Sequence, residues 1–366
     1  MAAELSERMS DITVDLWDYL KSSPKPVVLY GMGDGADKIA SVLDEKGIPL
    51  AGIFCSDGFV RPKIFRSFPL KSYRELKEEL GDFIALLAFG TRLEEVIGKV
   101  CAIAGETELY VPDVPVFGTG LFDLAYYKAH EGELSAVYDR LCDEKSKDVF
   151  INALKFRLTG KLTYLFAAES TADESFETIL KPFAGCHYTD VGAYNGDTIA
   201  DFYARTGKGT RFAAFEPDRR NFRKLRERVV SLGIEEDCEL RNLAAWDKAE
   251  TLSFYARSGR NSAATAANPM HKAVLLEADR IDAHVKQTDY IKIDAEGSDE
   301  KVLRGASRLI TEWAPSLIVA AYHRVDDYTV IPATVFSIRD NYDLYFRHFR
   351  YLPLWDTNFY FIRHEK

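Results

Sequence analysis

The chain has 366 residues, with 47 Lys and Arg against 57 Asp and Glu for a formal net charge of −10. That length exceeds what one apolar core organises and fits two domains, while the negative field disfavours nucleic acid or an anionic membrane as partner and favours a small or neutral substrate. Cys55, Cys101, Cys142, Cys186 and Cys238 are scattered with no Cys-x-x-Cys pair, and no apolar run nears the roughly 20 residues that span a bilayer, so a reduced, cytoplasmic protein without a metal site is expected.

Residues 1–22 place Leu5, Met9, Ile12, Leu16 and Leu20 at spacings of three and four, which predicts one amphipathic helix. Residues 26–30 read as a buried strand, 31–36 as a turn and 36–45 as a helix with Ile39, Ala40, Val42 and Leu43 inward. Strands are expected at 50–54 and 83–89 with a helix over 72–80 between them, so residues 1–120 form a small Rossmann-like α/β domain. The turn reads Gly31-x-Gly-x-x-Ala36, with Asp57 some 21 residues after its last position. That spacing fits a dinucleotide or nucleotide-sugar site, but the motif alone is weak, and a structural, acceptor-binding or dimerising role for the domain stays open beside it. The Pro-rich stretch 111–120 closes this domain. Residues 121–182 form a connector, helical at least to 166, where Leu134, Val137, Tyr138 and Leu141 recur on one face.

From 183 onward strands are expected at 188–191, 212–215, 239–242, 290–293 and 317–322, alternating with helical segments in the order of a doubly wound parallel sheet. The basic run 219–228 interleaves with Phe222, Leu225 and Val229 at helical spacing and reads as a solvated helix face, not a polyanion site. Aromatic-rich strands at 342–349 and 358–362, separated by Pro353 and Asp356, suit an antiparallel hairpin at the sheet edge.

The chemistry gathers at the strand ends of this second domain. Asp190-Val-Gly-Ala-Tyr-Asn-Gly-Asp197 puts two glycines and two acids after a strand, and Phe215-Glu-Pro217 ends the next strand in a carboxylate. A Glu there can accept hydrogen bonds from both ribose hydroxyls. Asp190 and Asp197 would repel a pyrophosphate and attract a sulfonium and an amino group, which favours S-adenosyl-L-methionine over a dinucleotide. With Tyr290-Ile-Lys-Ile-Asp-Ala-Glu-Gly297, Val302-Leu-Arg-Gly-Ala306 and Ala321-Tyr-His323, the set resembles the FkbM family of S-adenosylmethionine-dependent methyltransferases over about residues 140–366. The resemblance implies a class I methyltransferase fold, a doubly wound seven-stranded sheet with an antiparallel edge hairpin. It implies that Asp190, Gly192, Ala193, Tyr194, Gly196 and Asp197 surround the methionine part of the cofactor, that Asn242, Leu243 and Ala244 border the adenine, and that Asp294 faces the methyl or amino end. The chain reads Asp-Ala-Glu-Gly where an aliphatic residue often precedes the Glu, and Gly-Ser-Asp299 where Gly-Ala-Glu is usual; these departures are expected to shift only local packing.

For methyl transfer to a hydroxyl a general base is wanted, and His323 is the first candidate because imidazole titrates near neutrality; a structural role is its alternative. Glu296 either orients the acceptor or caps the helix that follows. Lys292 is expected to pair or snorkel, and Ser262 is a weak candidate for substrate contact. The expected activity is O-methylation of a saccharide or other hydroxylated small molecule. A non-catalytic cofactor-binding or scaffold protein, with the acceptor pocket closed by the aromatic tail, and a nicotinamide-dependent oxidoreductase are the rivals, and a homodimer fits any of them.

Overall fold

The structure, a computed structural model, describes residues 2–56, 63–255 and 273–364. The first sheet is built from Val27–Tyr30 (β1), Leu50–Cys55 (β2), Lys71–Ser72 (β3), Ile84–Leu87 (β4) and Glu108–Tyr110 (β5), all parallel, in the order β3-β2-β1-β4-β5. Every residue of β1 and β4 is buried, as continuous apolar runs require when helices cover both faces. The helix Asp34–Lys46 follows β1, and Tyr73–Leu80 starts from a capping box between Ser72 and Glu75. The amino-terminal segment differs from expectation: it is two helices, Ala2–Met9 and Leu16–Ser22, because the side chain of Asp15 accepts from Asp18 N and starts a new helix there.

The connector is no linker. Helices Leu124–Arg140, Glu144–Thr159 and Leu162–Ala167 occupy it, and ten of the 16 residues of Glu144–Thr159 are buried. Its Phe150, Leu154 and Phe156 join Leu5, Tyr30, Leu87, Tyr328 and Phe346 in one apolar core running from the first sheet to one face of the second. Burying that surface ties the two sheets together.

The second sheet contains Glu169–Ser170 (β6), His187–Val191 (β7), Arg211–Phe215 (β8), Cys238–Arg241 (β9), Tyr290–Ile293 (β10), Ser316–Ala320 (β11), Tyr342–Phe349 (β12) and Thr357–Arg363 (β13), in the order β9-β8-β7-β10-β11-β13-β12-β6. It therefore has eight strands where seven were expected. The extra one, β6, comes from the end of the connector and pairs in parallel with His348 and Phe349 on the outer strand, so a backbone edge that would face water is covered. The antiparallel hairpin expected at this edge is present, with only β6 beyond it: β13 lies between β11 and β12, antiparallel to both. A further small sheet of Ala244–Ala245, Glu250–Tyr255 and Ala273–Asp279, which sequence reasoning did not anticipate, follows β9.

The order reverses at β7. Strand β8 follows it on one side and β10 lies on the other, so β7, β8 and β10 open a crevice at their carboxyl ends, the place where open α/β sheets bind ligands.

Candidate functional site

Three chain segments meet in that crevice. After β7 the backbone turns through Gly192 at φ +76°, and a Cβ there would lie 2.0 Å from the carbonyl oxygen of Asp294 beyond β10. Only glycine fits both the left-handed conformation and that approach. Tyr194 is also left-handed, at φ +47°, and the helix Asp197–Thr206 begins after Gly196. Asp197 is therefore the first residue of that helix, its side chain accepting from Thr198 N at 3.0 Å, while Ala193 is fully buried.

Glu216, at the end of β8, is buried to 5 % exposure. Its Oε2 accepts from Tyr194 N and its Oε1 from Asp218 N, both at 2.8 Å, so the carboxyl group is held rigidly beside the glycine turn. Burial raises its pKa to about 7 despite those bonds. Asn242 braces the same corner, donating from Nδ2 to the carbonyls of Glu216 and Pro217 at 2.8 and 2.9 Å. Leu243 packs against the core, and Ala244 opens the small sheet.

Asp190 lies beneath this surface at 0 % exposure. It accepts a hydrogen bond from the Thr198 hydroxyl, and Lys292 Nζ stands 3.5 Å from its Oδ1 and 3.8 Å from Asp294 Oδ2. Burial raises the Asp190 pKa even so, with the Lys292 charge opposing. Lys292 thus pairs, as expected, between two acids at the ends of adjacent strands.

The segment after β10 carries the second cluster. Burial pushes Asp294 upward, but Lys292 and His323 outweigh it and hold its pKa below the ordinary carboxylate range. The Tyr322 hydroxyl donates to Asp294 Oδ1 at 3.2 Å. Glu296 adopts φ +49°, a strained conformation for a residue with a side chain. Its side chain is 39 % exposed, and desolvation with the nearby acids raises its pKa to about 8 against the pull of His323.

His323 is fully buried. Its Nδ1 donates to Asp299 at 2.9 Å, and its Nε2 lies 3.3 Å from Asp294 Oδ1 and 3.7 Å from Glu296 Oε2 without a hydrogen bond of its own. Burial alone would lower its pKa, but Asp299 and Asp294 more than compensate and raise it well above the ordinary value. Phe117, from the Pro-rich stretch, packs with ring centroids 5.8 Å from His323, and its amide donates to the His323 carbonyl at 2.9 Å.

Sequence reasoning placed Asp190, Gly192, Glu216, Asp294, Glu296 and His323 near one another, and they do converge. It missed Asp299. Besides His323, this buried carboxylate accepts from Ala295 N at 2.9 Å and Gly297 N at 3.1 Å, so the departure Gly-Ser-Asp299 does more than shift local packing: it organises the loop and fixes the imidazole. The carboxylate that braces the start of the next helix is accordingly Asp299, not Glu296. The signal was present, since an acid replaces an acid at that motif position, but nothing local tells which side chain it meets. Ser262 and Asp57 lie outside the described residues. In the first sheet, the Phe89 ring fills the space over Gly31, where an added Cβ would lie 2.4 Å from it. Among the described residues, no cluster of His, Cys, Asp and Glu is arranged to hold a metal ion, and no helix is long and apolar enough to cross a membrane.

Residues 190–348 match the model of the methyltransferase FkbM domain. The crystal structure of a methyltransferase FkbM from Methylobacillus flagellatus shares the fold with a TM-score of 0.73 at 20 % identity, over 98 % of this chain and 98 % of that one. A putative rRNA-methylase from Clostridium thermocellum aligns over 54 % of this chain and 98 % of its own at a TM-score of 0.37 and 9 % identity. Fibrillarin from Aeropyrum pernix, solved with natively bound S-adenosyl-L-methionine, aligns over 49 % of this chain and 67 % of its own at 0.32 and 12 %. No curated protein sequence matches the chain.

Proposed function

From a chain whose residues 190–348 form an FkbM-type methyltransferase domain, we propose that the crevice uses S-adenosyl-L-methionine to methylate a hydroxyl of a saccharide or another hydroxylated small molecule. The observation that carries this reading is Glu216, a buried carboxyl fixed by two backbone amides beside a glycine turn that admits no side chain. That arrangement fits the cofactor, since a carboxylate so held is oriented to accept two vicinal ribose hydroxyls. The backbone from Gly192 to Tyr194 and the pair Lys292 and Asp294 flank the place for its methionine end. When bound, the cofactor supplies an activated methyl group, so the protein's part is to position the acceptor, exclude water and take one proton.

Glu296 is the group we assign to the proton. It is the most exposed acid of the cluster, at 39 % against 31 % for Asp294, and a carboxyl with a pKa of about 8 is a stronger base when ionised than an ordinary glutamate. His323 stands behind it. Held by Asp299, the imidazole keeps Nε2 directed at Asp294 and Glu296, where its charge favours the ionised Glu296 that receives the acceptor proton. The base role expected for His323 thus passes to its neighbour, because a fully buried, acid-clamped imidazole is protonated before the reaction starts.

The test is calorimetric titration with S-adenosylmethionine and S-adenosylhomocysteine, followed by mass spectrometry of hydroxylated acceptors incubated with the protein and donor. Binding of both cofactor forms and a gain of one methyl group on an acceptor oxygen are expected. Absence of cofactor binding, or methyl transfer that Glu296→Gln leaves at full rate, would sink the reading.

A further inference from the structure

The first sheet has a crevice of its own, and the chain fills it. Its strand order reverses between β1 and β4, and open parallel sheets bind nucleotides at the carboxyl ends of the strands where the order reverses. The residues that follow β4 close that place. The Phe89 ring lies over Gly31 at the end of β1 and packs edge-on against Tyr30, 5.2 Å between ring centroids. Beside it the six-membered ring of Trp355 is pressed against Gly90, where an added Cβ would lie 2.3 Å from the nearest ring carbon.

Trp355 belongs to the turn between β12 and β13, in the other sheet. Thr91 N donates to the Leu352 carbonyl at 2.8 Å, and Leu352 N to the Thr91 carbonyl at 2.9 Å. That mutual exchange is the unit of an antiparallel ladder, so main chain as well as side chain joins the turn to the first domain. Arg350 extends the grip, lying 2.7 Å from Glu94 on the helix Glu94–Glu106 and 2.9 Å from Glu169 on β6. Tyr351 backs the indole at 5.5 Å between ring centroids.

Charge closes the phosphate seat as well. A pyrophosphate is held by free amides and positive charge at the amino end of the helix after β1. Here Asp34 and Asp37 stand in the first turn of that helix. Lys38 is already engaged, with Nζ 3.2 Å from Asp34 Oδ2 and donating to the carbonyls of Pro115 and Val116 at 3.1 and 2.6 Å. Lys38 thereby fixes the Pro-rich stretch whose Phe117 meets His323. The first domain thus grips the second at two points, the Pro-rich stretch and the β12–β13 turn, and both adjoin the candidate site.

From the turn the route to the site is short. Thr357, which follows Asp356 and opens β13, accepts from Ala321 N at 2.8 Å. The residue after Ala321 is Tyr322, whose hydroxyl donates to Asp294. The charges agree with this placement: burial raises the Asp356 pKa, Asp294 adds to the rise, and Lys292 and Arg92, the latter from the loop after β4, oppose it.

We propose that the crevice of the first sheet has the β12–β13 turn as its resident occupant, so that the first domain takes no nucleotide and instead holds that turn, and Tyr322 behind it, in place beside Asp294. Trp355 is then a positioning residue for the donor site. The positioning role rests on the methyltransferase reading above; the docking of the turn does not.

The test is fluorine NMR of the full chain labelled with fluorotryptophan, the Trp355 resonance being identified from Trp355→Phe. The sample is titrated with S-adenosylhomocysteine and then, at saturation, with NAD, ADP and UDP-glucose. S-adenosylhomocysteine is expected to shift the Trp355 resonance, and the nucleotides to shift it no further. A nucleotide that moves it occupies the first crevice and overturns the docking. S-adenosylhomocysteine that binds by calorimetry without moving it overturns the positioning role. Trp355→Ala should weaken S-adenosylhomocysteine about threefold or more well below the unfolding transition, and Trp355→Phe, which keeps a ring against Gly90, should restore most of it. A lowered melting temperature with unchanged affinity would reduce the indole to packing and overturn the role. Should Trp355→Ala not fold, the titration of the labelled parent chain decides alone. If S-adenosylhomocysteine does not bind at all, the donor reading and the positioning role fall together, while the nucleotide titration run without it still decides the docking.

Discussion

Glu216 allows the donor site to be tested through pH alone. Its carboxyl is buried and raised to about 7, while in the proposed donor site the ionised form is the one that would accept both ribose hydroxyls. About 90 % of the groups are ionised at pH 8 and about 10 % at pH 6 when the pKa is near 7. Cofactor affinity should therefore fall about tenfold between those values, or about 1.4 kcal/mol, with protons released on binding near pH 7. The folded-state pKa lies above the unfolded value of 4.5, so this group's contribution to stability is complete below about pH 4.5 and is lost as pH rises through 7. The unliganded protein should lose roughly 3 kcal/mol through it over that window. Titration calorimetry in two buffers of different ionisation enthalpy measures both the affinity and the proton count. Glu216→Gln, which cannot titrate, should bind about 1–3 kcal/mol more weakly at pH 8 and show no pH slope. A flat wild-type profile from pH 6 to 8, or the same slope in Glu216→Gln, would refute the assignment.

Methyl-transfer rate at saturating substrates should rise with pH through about 8 as Glu296 ionises, and Glu296→Gln should remove both the slope and most of the rate in a pH series. Asp299→Asn takes away the carboxylate that holds the imidazole proton, so the His323 ring resonances should titrate at lower pH than in the parent protein. Gly192→Ala forces a left-handed Cβ to within 2.0 Å of a backbone carbonyl; thermal unfolding should show a loss of at least about 2 kcal/mol, with weaker cofactor binding. Arg347, 1 % exposed and paired with Asp143 at 2.6 Å and Glu174 at 3.0 Å, ties β12 to the connector. Its truncation to Ala should cost about 3 kcal/mol in urea unfolding.

Much of this was legible in one dimension because the relevant signals are local. Strands β1 and β4 are short apolar runs and β8 nearly so, and a run buried on both faces announces itself by composition. The turn after β7 announces itself by glycine, since the conformation it must adopt excludes other residues. Glu216 and Asp294 follow strands directly and His323 comes three residues after β11, and parallel topology carries all such ends to one edge.

What stayed hidden depends on contacts between distant segments. The extra strand β6 is two residues long, too short to carry a period, and forms only because the outer strand presents an unpaired edge. The continuous core through Phe150 and Phe156 is a property of packing, and helical spacing cannot say which partner an apolar face will find. Asp299 reads as an ordinary acid in a first helical turn until folding brings His323 to it across 24 residues. The same holds for Arg157 and Asp113, which meet across 44 residues. The sequence by itself determined the central strands, the glycine turn and the carboxylates at the strand ends, because propensity, period and conformational restriction act on neighbouring residues. Only the tertiary structure decided that Glu216 is buried enough to titrate near 7 and that His323 is clamped between acids, because desolvation and charge pairing are set by what surrounds a group and not by what precedes it in the chain.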